Sequence, residues 1–157
     1  MSTTIRLATG DDAPHLSSIA WAAKQHWGYP AGWMETWRDA LTFTPAYIAA
    51  HRVFVAELDG VPAGCCALEG TTGEVQLEHL WIDPAYFGRG IGKALFHHAA
   101  RAARDAGATR LCIHSDPNAG GFYERMGATL AGSVPAHTLG HTRHLPVYTF
   151  DLRPAPL

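Results

Sequence analysis

The chain contains the stretch Leu80-Trp81-Ile82-Asp83-Pro84-Ala85-Tyr86-Phe87-Gly88-Arg89-Gly90-Ile91-Gly92-Lys93-Ala94-Leu95-Phe96. It predicts an apolar strand, a turn at Asp83-Pro84 and a glycine-rich loop that opens directly into a helix. Gly88, Gly90 and Gly92 stand at alternate positions, where the lack of side chains lets backbone N–H groups approach a bulky anion. Because a helix start adds free amides and a positive dipole end, the stretch predicts a pyrophosphate-binding loop rather than only a tight turn.

Two familiar phosphate loops do not fit this spacing. A P-loop requires Gly, four residues and then Gly-Lys-Ser/Thr, but Gly92-Lys93 is followed by Ala94, which has no hydroxyl for magnesium. The dinucleotide fingerprint Gly-x-Gly-x-x-Gly fails because the residue three past Gly90 is Lys93. The pattern that remains is Gln/Arg-x-x-Gly-x-Gly/Ala, which the segment 87–92 resembles.

A second glycine-containing segment lies later in the chain, Asp116-Pro117-Asn118-Ala119-Gly120-Gly121-Phe122-Tyr123-Glu124-Arg125-Met126-Gly127-Ala128. Together with the strand end 80–84 and the loop 86–95, it resembles the GNAT superfamily of acetyl-CoA-dependent N-acetyltransferases. The resemblance implies that the loop binds the pyrophosphate of acetyl-CoA, that Asn118 lies near this co-substrate and that Tyr123 lies near its sulfur.

Phe87 departs from the family pattern, which often has Gln or Arg at that position. The backbone amides are unaffected by this difference, and Arg89 could still contact a phosphate. The resemblance implies cofactor contacts from the strand end, the loop and the second segment, namely Leu80, Trp81, Ile82, Phe87, Gly88, Arg89, Gly90, Ile91, Gly92, Lys93, Asn118, Phe122 and Tyr123.

The predicted fold is a single mixed α/β domain (α+β) over residues 1–157. It has a central, largely antiparallel sheet of about seven strands flanked by about four helices and splayed between the fourth and fifth strands. A β-loop-α-β crossover should make those two strands parallel. A chain of 157 residues suits one core, and the tail 153–157 should fray.

Composition excludes several classes of protein. With 47% hydrophobic and 17% charged residues the chain is typical of globular proteins, and no stretch approaches the roughly 20 apolar residues of a membrane span. A net charge of −2 gives no general attraction to nucleic acid or acidic membranes. The start does not resemble a signal peptide, and Cys65, Cys66 and Cys112 form neither a disulfide framework nor a CxxC metal motif, which favours a cytoplasmic protein.

Local patterns predict the order of the elements. Asp59-Gly60 is a strong signal for a two-residue hairpin turn.

The segment 135–143 is predicted to be a polar loop at the edge of the acceptor site, where Arg143 or a histidine could contact an acidic group. Its histidines are not expected to bind metal, because no cysteine or carboxylate lies among them. Strands are expected at 4–8, 52–58, 61–68, 74–82, 109–114, 129–134 and 144–152, and helices at about 13–25, 31–41, 90–106 and 118–127.

The fourth strand is mostly apolar, so the polar residues within it require an explanation. Period-two geometry places Gln76, Glu78, Leu80 and Ile82 on one face and Val75, Leu77, His79 and Trp81 on the other, unless a bulge intervenes. Acetylation of an amine requires a neutral nucleophile, so a base must first take a proton from the ammonium. Glu78 is the first candidate and His79 the second. The alternatives are a Glu78 that faces solvent or pairs with an arginine, and a His79 that is only a hydrogen-bonded cleft residue.

Four aromatic residues, Trp27, Tyr29, Trp33 and Trp37, lie between and within two early helices. They could form a small subcore that packs the helices together. In the GNAT fold this region covers one side of the substrate cleft, so the same residues are candidates to bind an apolar or cationic acceptor by packing or cation–π contact. The sequence leaves both interpretations open.

The remaining site residues follow from the resemblance. Tyr123, with an unperturbed pKa near 10, is the candidate acid that protonates the departing thiolate. Asn118 should help to hold the cofactor or cap a helix. An amide of the fourth strand near Trp81 or Ile82 should polarise the thioester carbonyl.

The function predicted from the sequence is transfer of acetyl from acetyl-CoA to a primary amine of a small-molecule acceptor in a ternary complex, without a metal. The alternatives are acetylation of a protein N-terminus or lysine, a non-catalytic acyl-CoA sensor and a phosphate-loop protein for another nucleotide. The sequence does not choose the acceptor, and a homodimer is compatible with it.

Overall fold

The computed structural model describes residues 2–153. The strands are β1 (Thr3–Leu7), β2 (Arg52–Leu58), β3 (Val61–Glu69), β4 (Gly73–Ile82), β5 (Ala108–His114), β6 (Thr129–Thr138) and β7 (His141–Asp151). The helices are α1 (Ala13–Gln25), α2 (Ala31–Thr36), α3 (Pro45–Ala50), α4 (Ile91–Asp105) and α5 (Gly120–Arg125). The mixed α/β prediction is confirmed, with one more helix than expected because the segment at Pro45 forms α3. The predicted fraying of residues 154–157 lies outside the described part of the chain.

The seven strands form one sheet in the order β1-β2-β3-β4-β5-β7-β6. Neighbouring strands are antiparallel except β4 and β5, which are parallel and joined by the crossover helix α4. Their ladder runs only from the pair Gly73–Ala108 to the pair Gln76–Cys112, although β4 continues to Ile82. The predicted splay between the fourth and fifth strands is therefore confirmed, and it opens the sheet at the carboxyl ends of both strands.

Two apolar cores cover the faces of the sheet. On one face α4 buries Leu95 and Phe96 completely, and on the other α1 buries Leu16 and Ala20. Full burial of one large apolar side chain stabilises a fold by about 1.5–3 kcal/mol, so α4 and α1 are anchored firmly on opposite sides of the splay. The three cysteines are free and buried, as expected of structural residues.

A bulge in β4 changes the predicted faces of this strand. Ala67 of β3 pairs with His79 and Leu68 pairs with Leu77, so Glu78 is the extra residue without a direct partner. A bulge shifts the alternation of side chains by one position. The unbulged assignment of Leu80 and Ile82 to the face opposite Val75 and Leu77 is wrong, since all four contact the α4 core.

The hairpin of β6 and β7 is longer than predicted. The segment 135–143 is not a polar loop but paired strand, with a turn only at Leu139 and Gly140, whose φ angles are 47° and 80°. The hairpin arm exposes much of its surface, so its sequence is as polar as that of a loop. Its tip reaches α2, where a Cβ built on Gly32 would lie 3.5 Å from Leu139 Cδ1.

Candidate active site

A cavity of about 520 Å³ opens where β4 and β5 diverge. It is bounded by the glycine-rich loop, α5 and the carboxyl end of α1. The cavity is lined by eleven of the residues that were predicted to belong to the site. They are Trp27, Glu78, Leu80, Trp81, Ile82, Phe87, Gly88, Gly92, Asn118, Phe122 and Tyr123. The splay of the sheet thus brings together the two segments that carried the sequence prediction.

The backbone of the loop requires glycine at Gly88 and Gly90. Their φ angles are 79° and 75°, in the left-handed region that favours glycine. Gly92 is favoured for another reason, because a Cβ there would lie 3.2 Å from Phe122 Cε1 and the Phe122 ring would have to shift. The backbone conformation at Gly88 and Gly90 and the close packing at Gly92 therefore both hold the loop beside the cavity.

The start of α4 offers unpaired amides beside that loop. Gly90 is the N-cap and provides no side-chain cap, and Ala94 is the first residue of the helix whose amide reaches Gly90 O, at 3.1 Å. The amides of Ile91, Gly92 and Lys93 therefore have no intrahelical acceptor. Three free amides at a positive dipole end fit the phosphate groups of a coenzyme A molecule.

Phe87 gives this end of the cavity an apolar rim. Its ring is 43% exposed and lies 5.0 Å from the His26 ring in an edge-on arrangement. Trp27, next to His26, is also 43% exposed at the same rim. Arg89 stacks over the Tyr86 ring at 5.7 Å.

One amide of β4 faces the opening. Asp83 N–H donates to Ala63 O at 2.9 Å on the β3 side, and Trp81 pairs with Cys65 on that side. Successive amides of a strand point to opposite edges, so the N–H of Ile82 points to the edge that β5 has left. Of the two amides proposed from the sequence to polarise a carbonyl, Ile82 has the suitable direction.

Glu78 lines the cavity from the bulge of β4. Burial, and then the negative charge of Glu69, raise the pKa of its carboxyl, although His114 opposes this shift. Within residues 2–153 Glu78 forms no ion pair, so the alternative of an arginine partner has no support there. A carboxylate with a raised pKa beside a cavity suits proton acceptance.

His79 is placed differently. Its Nδ1 accepts a hydrogen bond from Trp81 Nε1 at 2.9 Å, and its ring packs against Phe43 and Tyr47. Burial lowers its pKa to about 4, so the ring is neutral at physiological pH. His79 is hydrogen-bonded, as the alternative to a catalytic role expected, but the cavity lining does not include it.

Tyr123 lies on α5, with its ring between Phe96 and Phe122. The residue is 7% exposed and reaches the cavity. Burial raises the pKa of its hydroxyl, which keeps the proton on oxygen at neutral pH. Among the described side chains none forms a hydrogen bond with this hydroxyl, so it is available to a bound molecule.

Asp116 is a site residue that the sequence reasoning missed. It accepts hydrogen bonds from Lys24 Nζ at 2.6 Å and from the Tyr29 hydroxyl at 2.9 Å. Burial would raise the pKa of Asp116, but Lys24 outweighs this and holds it below the usual value, while burial lowers the pKa of Lys24. The partners lie 92 and 87 positions away, and the only local signal was the turn sequence Asp-Pro-Asn.

Asn118 was expected to hold the cofactor or to cap a helix. The capping expectation is wrong, because Asp116 accepts the amide of Asn118 at 2.8 Å and α5 has no side-chain cap. The side chain of Asn118 instead donates to the Tyr29 hydroxyl at 3.1 Å and lines the cavity. It therefore links the coenzyme side of the cavity to the aromatic residues after α1.

The four early aromatic residues divide into two groups. Tyr29, Trp33 and Trp37 pack on one another with ring centroids 4.9–5.9 Å apart, which matches the subcore interpretation. Trp27 stands apart on the same cavity rim as Phe87, and its contact with an acceptor stays a prediction. The hairpin of β6 and β7 reaches this subcore, since Arg143 donates to the Tyr29 hydroxyl at 2.9 Å.

Within residues 2–153, no group of three or more histidine, cysteine or acidic side chains is arranged to hold a metal ion. Over the same range, no helix has the length and apolarity to cross a membrane.

The loop, the crossover helix and the splayed sheet define a coenzyme-A-type transferase fold. Residues 49–127, about half of the chain, match the family described as an acetyltransferase (GNAT) domain. The chain therefore belongs to the GNAT acetyltransferase family. The match includes both segments on which the sequence resemblance was based.

Similar proteins agree with this assignment. The chain is 39% identical over 87 residues to a blasticidin-S acetyltransferase of Streptomyces morookaense, a match that covers 48% of this chain and 61% of the relative. It is 31% identical over 81 residues to a candidate ribosomal protein bS18-alanine N-acetyltransferase of Bacillus subtilis, covering 50% of this chain and 54% of the relative. The matches thus span less than two thirds of either relative.

A solved structure shows the same fold over nearly the whole chain. The PaiA N-acetyltransferase of Thermoplasma acidophilum, in complex with coenzyme A, superposes with a TM-score of 0.81 at 18% identity. The superposition covers 96% of this chain and 99% of that one.

Proposed function

We propose that the chain transfers the acetyl group of acetyl-CoA directly to a primary amine of a small-molecule acceptor. The observation that carries this proposal is that one cavity joins the free amides at the start of α4 to the side chains of Glu78 and Tyr123. Anion binding, proton acceptance and proton donation are the three tasks that such a transfer requires.

The coenzyme end of the cavity supports acetyl-CoA as the co-substrate, which supplies an activated thioester. The amides of Ile91, Gly92 and Lys93 would hold its phosphates, and Asn118 would contact it from the α5 side. The N–H of Ile82 would donate to the thioester carbonyl oxygen and stabilise the negative charge that develops there.

Glu78 is proposed as the base. An amine reaches the site mostly as an ammonium ion, which must lose a proton before its nitrogen can attack the thioester carbon. The pKa of the Glu78 carboxyl is raised although the residue is exposed, which makes it a better proton acceptor than a glutamate of ordinary pKa. The neutral His79 ring, with Nδ1 already accepting from Trp81, is the weaker candidate.

Tyr123 is proposed as the acid. When the new C–N bond has formed and the C–S bond breaks, the leaving sulfur needs a proton. The Tyr123 hydroxyl keeps its proton at neutral pH and points to the cavity. The ammonium loses two protons on becoming an amide. Glu78 takes the first, and the second replaces the proton that Tyr123 gives to sulfur, so the transfer releases one net proton and balances.

The acceptor class rests on one relative. The similarity to a blasticidin-S acetyltransferase supports a small molecule, and Trp27 at the rim offers it an aromatic surface. A protein N-terminus is the second candidate, favoured by the similarity to the candidate bS18-alanine N-acetyltransferase. A non-catalytic acyl-CoA sensor would need the cavity but neither Glu78 nor Tyr123. A cytoplasmic location and a homodimer remain proposals.

The deciding experiment is calorimetric titration with acetyl-CoA, followed by release of free thiol against amines, amino acids, polyamines and short peptides. Micromolar binding with thiol release that depends on a small amine is expected. Release of free thiol only with peptides would indicate that the acceptor is a protein and not a small molecule. Binding without release from any amine would support the sensor, and no binding would refute the role of the loop.

A further inference from the structure

Lys24, which lines the cavity, and Arg143, which lies behind it, are two cations that share one set of aromatic rings. Lys24 Nζ lies 4.4 Å from the Trp37 ring and 5.0 Å from the Tyr29 ring. The guanidinium of Arg143, from β7, lies 5.0 Å from each of the same two rings. Two like charges in so small a region repel each other unless carboxylates neutralise them.

Asp116 neutralises only one of these cations. Its carboxylate accepts from Lys24 Nζ, from the Tyr29 hydroxyl, and from both the backbone and side-chain nitrogens of Asn118. Arg143 takes part in none of the ion pairs formed within residues 2–153. The cluster of Lys24, Arg143 and Asp116 therefore carries one uncompensated positive charge.

Hydrogen-bond donors are also left over in this cluster. An ammonium has three N–H groups, and the one described hydrogen bond of Lys24, which lines the cavity, goes to Asp116. The buried Nε of Arg143 has no hydrogen-bond partner. A partly buried cation with idle donors is unfavourable by itself and becomes favourable when an anion binds beside it.

We propose that the acceptor carries a carboxylate as well as its amine, and that this carboxylate binds beside Lys24 within the field of Arg143. The inference rests on the proposed function and narrows its substrate class to amino carboxylic acids. The acceptor then lies along the cavity with its amine toward Glu78 and its acid toward α1. Lys24 and Arg143 are specificity-determining residues, since neither is needed for the chemistry at the thioester.

The test compares acids with their amides, which differ in charge but hardly in shape. The probes are β-alanine, γ-aminobutyrate and ε-aminocaproate, each beside its carboxamide, titrated by calorimetry in the presence of coenzyme A. At least one acid should bind about tenfold or more tightly than its amide, as expected for a charge-assisted contact. Equal affinities in all three pairs, or no saturable binding of any acid, would overturn the proposal.

Substitutions at Arg143 test whether the preference for acids over amides depends on the cluster of Lys24, Arg143 and Asp116. They leave no carboxylate unpaired, because Arg143 takes part in none of the ion pairs within residues 2–153. Arg143→Met should reduce the acid-to-amide ratio about fivefold or more, whereas Arg143→Lys keeps the charge and should retain most of it. Arg143→Gln, which keeps a donor for Tyr29, is the second neutral variant in case the methionine variant does not fold. A ratio that survives in whichever neutral variants fold would overturn the proposal.

The same samples separate this inference from the proposed function. Thiol release that is equally efficient with acids and amides would retain the acetyltransferase and overturn the carboxylate preference. Tight binding of an acid that depends on Arg143, without thiol release from any amine, would support the anion site and refute acetyl transfer.

Discussion

Trp81 Nε1 donates a hydrogen bond to His79 Nδ1 over 2.9 Å. This bond occupies one ring nitrogen of the histidine, and the rings of Phe43 and Tyr47 pack against the same side chain. Because the pKa of His79 is lowered to about 4 by burial, its neutral form is stable across the pH range in which acetyltransferases would be assayed. Glu78, the titratable residue of β4 that lines the cavity, then remains as the candidate base.

Glu78→Gln should remove the ionisation of Glu78 from the acidic limb of the pH–rate profile. The carboxylate works only when deprotonated, so the parent should lose activity as the pH falls through a value above the ordinary 4.5. Glutamine cannot accept the proton, so the rate should fall about 100-fold and should follow only the ionisation of the amine. The measurement is kcat/KM against pH with the acceptor found by the thiol assay.

The matched control for that experiment is Glu69→Gln. Glu69 lies near Glu78 and accepts a hydrogen bond from the Tyr47 hydroxyl at 2.7 Å, but it does not line the cavity. It should keep the acidic limb with at most a small shift. A Glu78→Gln profile that retains the parent's acidic limb would leave Glu78 a structural residue, and the same loss in His79→Gln would restore His79 as the base.

Glu78→Gln should also make the protein slightly more stable at neutral pH. A carboxyl whose pKa is raised in the folded state favours folding below its unfolded pKa, and that contribution is lost as the pH rises through the folded pKa. At neutral pH the charged Glu78 therefore opposes folding, and the neutral amide does not. The thermal midpoint should rise by about 2 °C or less at pH 7 and not at pH 4, since solvent screens the charge. A lower midpoint at pH 7 would contradict the expected environment of the carboxyl.

The sequence predicted the glycine-rich loop far better than the cluster of Lys24 and Asp116. Gly88 and Gly90 report local requirements of the backbone, and such requirements are readable within a few residues. The bond between Lys24 and Asp116 joins residues 92 positions apart, and no local pattern specifies which side chains meet after folding. The extra residue at Glu78 is a similar case, because a bulge depends on how β3 pairs with β4 and not on β4 alone.

Gly90→Glu should abolish measurable binding of acetyl-CoA. A side chain at a φ of 75° is strained, and the added carboxylate would place a negative charge at the free amides that hold phosphate. Gly60→Glu is the matched control, since Gly60 has a φ of 83° in a hairpin turn and does not line the cavity. Both variants should lose similar stability by thermal denaturation, and only Gly90→Glu should lose binding by calorimetry. Parent-like binding by Gly90→Glu would show that the phosphate site is elsewhere.

Asp116→Ala should cost about 3–5 kcal/mol of unfolding free energy because it leaves the Lys24 ammonium buried without a partner. The side chains of this pair are 9% and 12% exposed. A double-mutant cycle with Lys24→Met should show strong coupling, so that the double variant is more stable than the sum of the single losses implies. The exposed pair Glu35 and Arg38, with side chains 62% and 55% exposed, is the internal control and should show much weaker coupling because solvent screens it. Equal coupling in the two cycles, measured by urea denaturation, would mean that the Asp116 pair is open to solvent.

Tyr123→Phe should lower kcat with saturating acceptor by about 100-fold while leaving the affinity for acetyl-CoA nearly unchanged, because it removes only the proton donor for sulfur. Tyr148→Phe tests whether loss of any buried hydroxyl has this effect. The Tyr148 ring lies 6.0 Å from the Tyr123 ring, but its hydroxyl donates to Glu124 at 3.2 Å and the cavity lining does not include it. Tyr148→Phe should therefore turn over like the parent even if its thermal midpoint falls. If Tyr123→Phe kept the parent kcat, or if both variants lost activity equally, the ring of Tyr123 would serve only to pack α5 against Phe96, and water would have to protonate the sulfur.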